Sequence, residues 1–141
     1  TTNVLATPRI TFKNLALLPE YLHRPELLFD GHPRRIILSE QGFHTPRGPD
    51  GEAIQAAAYC YAYKKVEALE GVDAFILHRH VDNVNEGGLM LGLRGNKPLD
   101  GEPRPKKKIY ECFRLADTPE WKPAFEFALP IVGLKDWSEV R

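Results

Sequence analysis

An α/β fold is what this sequence predicts, and three observations carry it. Two short apolar runs, Arg34 to Ser39 and Val72 to Leu77, read as strands, and a helix-length stretch rich in alanine and tyrosine lies between them. The order strand, helix, strand makes a crossover unit that pairs its two strands in parallel. No internal repeat or low-complexity tract breaks the alternation of strand and helix.

Each element has its own signal. Thr1 to Phe12 is polar and irregular, the tail of a preceding loop. From Asn14, a candidate cap, Leu15, Leu18, Tyr21 and Leu22 recur at helical spacing, while Pro19 and Pro25 limit the helical pieces to short ones. Asp30-Gly31-His32-Pro33 closes that segment as a turn. The continuous Ile36-Ile37-Leu38 run fits a parallel strand covered on both faces. A turn-rich loop from Gly42 to Gly51 leads into a helix over Glu52 to Glu70. Its expected apolar stripe is Ile54, Ala57, Ala58, Tyr61, Val66 and Leu69, with Gly71 as the stop. After the second strand come a glycine-rich loop, Asn85 to Leu93, and a polar turn reaching Pro105. Lys106 to Ala116 reads as a helix, and Thr118-Pro119-Glu120 starts another that runs through Trp121, Phe125, Phe127 and Leu129.

Size and charge bound the function. The 141 residues make one modest domain over 1–141, whereas a complete eight-fold barrel needs roughly 200 or more. The chain is therefore expected to be either a small open sheet or a piece of a larger molecule. Thr1 at the start and Met90 as the only methionine favour a fragment or a processed product. Nineteen basic residues balance nineteen acidic ones, which argues against a general grip on nucleic acid or on an anionic membrane. The run Arg104-Pro105-Lys106-Lys107-Lys108 reads as a solvated loop and helix start. No apolar run approaches the roughly 18 residues of a membrane span. No signal peptide is present, and a secreted or periplasmic mature form would already have lost one, so the compartment stays open. Cys60 and Cys112 lie in separate helical stretches and read as buried free thiols.

The candidate chemistry sits at the two strand ends. Ile36-Ile37-Leu38-Ser39 runs into Glu40-Gln41-Gly42, and Phe75-Ile76-Leu77 runs into His78-Arg79-His80-Val81-Asp82-Asn83. Loops after the carboxyl ends of barrel strands build active sites, which makes Glu40 a candidate catalyst. Alternation places Glu40 on the side of Ile36 and Leu38. A carboxylate there acts as nucleophile or base if a second acid faces it across the substrate, and otherwise serves as a hydrogen-bond partner of a neighbouring loop. Arg79 falls on the opposite face from His78 and His80, as an ion-pair partner for Glu67 or Glu70, and Asp82-Asn83 also fits a turn cap. Tyr59, Tyr61 and Tyr63 at spacing two, Trp121 and Trp137 read as packing residues. Gly87-Gly88 lacks the spacing of a nucleotide loop, so no cofactor is expected.

The run Ile36 to Gly42, the following Phe43-His44-Thr45-Pro46, the alanine- and tyrosine-rich helix and the closing strand resemble the last quarter to third of a cellulase-like glycoside hydrolase barrel, over residues 12 to 130. It also resembles a group of uncharacterised bacterial barrel proteins. The resemblance implies that the chain is the carboxyl-terminal part of a (β/α)8 TIM barrel and that Glu40 holds the seventh-strand nucleophile position. His44, His78, His80, Asp82 and Asn83 then line the sugar subsite, and the substrate is an oligo- or polysaccharide. The acid/base carboxylate of such enzymes comes from the fourth strand, and nothing upstream of Glu40 resembles its Asn-Glu pair. The remainder of the barrel, in the same or another chain, is thus an expected partner. The tryptophan platform common after the eighth strand is absent from 78–93.

Two other readings stay open. His78-x-His80 points two imidazoles to one face of a strand end, and Asp82, Glu40 and His44 are further potential ligands, so a metal-dependent hydrolase is one. A non-catalytic carbohydrate-binding or structural fragment is the other.

Overall fold

The computed structural model describes residues 4–97 and 104–140. Its elements are mixed α and β, and the sheet has two parallel strands, β1 (Ile36–Gln41) and β2 (Val72–Leu77). Helix α1 spans Leu17–Leu22 ahead of β1, and α2 (Gly51–Glu67) crosses from β1 to β2. Three helices follow β2: α3 (Lys108–Leu115), α4 (Trp121–Phe125) and α5 (Ala128–Val132). Short 3-10 turns occupy Pro25–Leu27 and Trp137–Glu139. Part of the turn expected before Pro105 falls at 98–103, outside the described residues.

Helix α2 is the spine of the core, but not through the stripe that its sequence predicts. Ile54 is exposed, and the buried face carries Gln55, Ala56, Ala57, Tyr59, Cys60 and Ala62. Tyr59 is the hub: its ring stacks on Phe75 of β2 at 6.0 Å and 12°, and meets Phe43, Tyr63 and Phe125 at 6.0 to 6.4 Å between rings. Burial drives the Tyr59 hydroxyl far above its ordinary pKa. Helices α3, α4 and α5 close the other side with Ile109, Cys112, Phe125 and Ala128, all at most 2% exposed. Each large apolar side chain buried this way stabilises the fold by about 1.5–3 kcal/mol. Cys60 and Cys112 are free and buried in this cluster.

Proline divides the last helix in two. Pro130 has no N–H to give the Glu126 carbonyl one turn back, and its ring crowds that carbonyl. The backbone instead tightens at Glu126–Phe127, with Leu129 N–H reaching Glu126 O at 3.2 Å. Gly133 ends α5 in the left-handed region at φ 75°.

The sheet is covered on one side. Phe12 packs on Phe43 and Phe75, with ring centroids 5.5 and 5.9 Å apart, so the segment expected to be a loop tail shields the sheet. Phe12, Leu15, Leu18, Leu38 and Gln41 share one cavity wall on that side. Ile37 and Ile76, which point the other way, are 62% and 50% exposed. The expectation of cover on both faces is therefore not met, because no described element lies over Ile37 and Ile76.

Candidate functional site at the carboxyl ends of the strands

Register decides where Glu40 points. Leu38 pairs with Phe75 and Gln41 pairs with Leu77, so β1 uses three steps where β2 uses two. This bulge puts Gln41, not Glu40, in phase with Leu38. Ser39 and Glu40 turn to the uncovered side, with Ile37 and Ile76, and both are exposed. The expectation that Glu40 shares a face with Ile36 and Leu38 is corrected by that extra residue. Its carboxylate makes no hydrogen bond or ion pair among the described residues. The neighbouring strand end is close in backbone, since His78 N–H donates to Gln41 O at 2.9 Å.

After β2 the chain makes a rim. His78 Nε2 lies 2.7 Å from Glu86 Oε1, and Arg79 Nη1 donates to Glu86 Oε2 at 3.1 Å. The expected partners of Arg79, Glu67 and Glu70, are not its partners; Glu67 pairs with Lys64 on its own helix. The imidazole and guanidinium hold the Glu86 carboxyl below its ordinary range. The His78–Arg79 peptide is cis. His80 is exposed, and its side chain makes no hydrogen bond among the described residues. His44 accepts from Met90 N–H through Nδ1 at 3.0 Å, tying the loop after β1 to the loop after β2.

Asp82 and Asn83, expected among the substrate ligands, have internal partners instead. Asp82 accepts from Gly92 N–H at 2.7 Å and from Lys107 Nζ at 2.9 and 3.2 Å. The side chains of that ion pair are 8% and 5% exposed. Lys107, read as part of a solvated run, is therefore a buried counter-ion. Asn83 Oδ1 accepts from Asn85 N–H at 3.1 Å and closes a turn.

The loops themselves are fixed by a residue that the sequence reading passed over. Gln55 is fully buried on α2. Its Nε2 donates to Phe43 O at 2.9 Å and Gly92 O at 3.2 Å, and its Oε1 accepts from the Thr45 hydroxyl at 2.7 Å. Behind it, residues 91–95 run beside 79–82, through Leu93 N–H to Arg79 O and Arg94 N–H to His80 O, and beside 105–107. Gly92 is required there, because a Cβ would stand 2.2 Å from Asp82 N. A glutamine set among alanines on the core face of a helix was the one available signal for Gln55.

The six expected site residues thus share one end of the sheet, yet no side-chain hydrogen bond or ion pair joins any two of them. Among the described residues no group of three His, Cys, Asp or Glu side chains is arranged to hold a metal ion. Residues 1–140 match the profile of a family described as a family of unknown function, DUF5722. The chain belongs to that family. No curated protein and no solved structure matches it. In this DUF5722 chain the free carboxylate of Glu40 and the tied imidazole of His78 stand at adjacent strand ends, on a scaffold fixed by Gln55 and by the Asp82–Lys107 pair.

Proposed function

We propose that this DUF5722 chain is the carboxyl-terminal portion of a (β/α)8 barrel of glycoside hydrolase type, which hydrolyses a glycosidic bond in an oligo- or polysaccharide with Glu40 as nucleophile. The observation that carries the reading is the bulge after Leu38. It presents an unpaired carboxylate at a strand's carboxyl end, on the sheet side away from α1 and α2. In a barrel that side is the interior, where strand ends deliver catalytic groups. The exposed Ile37 and Ile76 fit the same geometry, because further strands would bury them in the barrel's interior layers.

The roles divide accordingly. His44, His78 and His80 offer ring nitrogens at the rim to sugar hydroxyls, whereas Asp82 and Asn83 shape the rim from within. The acid/base carboxylate comes from the remainder of the barrel, in this chain's own protein or in a partner. A retaining reaction requires it at about 5–5.5 Å from Glu40.

The test is reducing-sugar release from a panel of plant and microbial polysaccharides by the protein and its Glu40→Gln variant. Glu40 is exposed and has no side-chain partner among the described residues, so the substitution leaves the fold intact, which circular dichroism verifies. Loss of release with an unchanged fold supports the reading; release unchanged in the variant removes Glu40 from the mechanism.

A further inference from the structure

Glu86 lies outside every role assigned above, yet it is the carboxylate in contact with the rim histidine. Its Oε1 meets His78 Nε2 at 2.7 Å, while its Oε2 takes the Arg79 guanidinium at 3.1 Å. Both oxygens are therefore engaged, and the carboxylate cannot swing away from the ring without losing one cation. Its backbone is held as well: Glu86 N–H donates to Asn83 O at 3.3 Å and Leu89 N–H to Glu86 O at 3.0 Å. The loop that carries it is anchored at both ends, by Asp82–Lys107 and by Gln55.

The consequence is chemical. A carboxylate is an acceptor only, so a neutral His78 must carry its proton on Nε2 and keep the Nδ1 lone pair open. No other hydrogen bond engages the His78 side chain among the described residues. With 36% of its side chain exposed, the ring reaches solvent beside the strand end that bears Glu40.

We propose that Glu86 is a positioning residue that grips His78 by Nε2 and so presents Nδ1 as an acceptor for a substrate hydroxyl next to Glu40. The proposal rests on the carbohydrate reading for the identity of that hydroxyl. Sugar hydroxyls donate as well as accept, and an oriented acceptor selects one that donates. A ring free to flip would offer donor and acceptor in turn and select neither.

The grip is read without any substrate, by proton and nitrogen-15 NMR of the His78 ring in the protein at neutral pH and low temperature. We expect a downfield Nε2 proton protected from exchange, retained in Glu86→Gln, whose amide oxygen still accepts, and lost in Glu86→Ala. A wild-type ring without that proton, or one that keeps it in Glu86→Ala, overturns the proposal. Sugar release supplies the second readout: Glu86→Ala lowers kcat/KM by roughly tenfold or more and Glu86→Gln restores most of it. Equal rates in Glu86→Ala and the wild-type protein overturn the substrate role. Failure of the underlying reading is separately visible as unchanged release in Glu40→Gln.

Discussion

Replacing Gln55 tests whether one buried amide holds both rim loops. Its side chain is fully buried, and it satisfies the Phe43 and Gly92 carbonyls and the Thr45 hydroxyl. Gln55→Met keeps the volume and removes the polar partners. Each buried group left without a partner costs about 1–3 kcal/mol. Two orphaned carbonyls, on Phe43 and Gly92, thus give about 2–6 kcal/mol, out of a total stability of about 5–15 kcal/mol for a domain. Gln55→Glu is sharper, because it sets a carboxylate oxygen against those carbonyls. Burial raises that carboxyl's folded pKa above its unfolded value of about 4.3, so the proton is bound more tightly in the folded state. The penalty of Gln55→Glu is then small near the unfolded value, grows as pH rises towards the folded value and levels off above it. Urea unfolding followed by far-ultraviolet circular dichroism at pH 5 and pH 8 measures both effects. A Gln55→Met cost below about 1 kcal/mol, or a Gln55→Glu penalty equal at the two pH values, would mean that the Gln55 amide does not hold the two loops.

Lys107→Met leaves the Asp82 carboxylate buried without its cation and is expected to cost about 3–5 kcal/mol, whereas the pair Asp82→Asn with Lys107→Met recovers much of it; denaturant midpoints of the single and double variants decide. The lowered Glu86 pKa has a defined sign: its contribution to stability is complete above the unfolded carboxyl value of about 4.3 and is lost as pH falls through the folded value. Carbon-13 titration of Glu86 in the folded chain checks this, and Arg79→Gln should move its midpoint upward. Cys60 and Cys112 are 0% and 2% exposed, so Ellman's reagent should find no thiol in the native chain and two after unfolding; rapid labelling of the native protein would contradict that packing.

The strand–helix–strand unit was legible because apolar runs and a long alanine-rich segment are local signals, and parallel pairing follows from the crossover. The stripe of α2 was not, since Ala56, Ala57 and Ala62 carry almost no directional hydrophobic contrast. The deciding choices were made by Tyr59 and Gln55, through ring contacts with β2 and hydrogen bonds to loops about 12 and 37 residues away. Lys107 looks like Lys106 and Lys108 in sequence. Only the path of residues 91–95 beside 79–82 brings Asp82 to it, and such long-range pairing leaves no local trace. Glu86 was missed for the same reason: its partners are known only once the loop folds back over the end of β2.

Glu40 shows how far a periodicity argument reaches. Strict alternation from Ile36 puts its side chain against Phe12 and α1, where an ionised carboxylate would be desolvated beside Leu38 and Leu18 at a cost of several kcal/mol unless paired. The extra residue in β1 relieves that conflict by sending Gln41, whose amide is neutral, to the covered side and Glu40 to the open one. The same step that removes a buried charge from the core delivers a free carboxylate to the face that a barrel would enclose. Gln41→Glu, by contrast, sets a carboxylate on the covered side beside Leu18 and Leu38. It should therefore lower stability by a few kcal/mol, and more at pH 8 than at pH 4, whereas Glu40→Gln should change stability little. Equal urea midpoints for the two variants would mean that the bulge is not needed to keep charge out of the core.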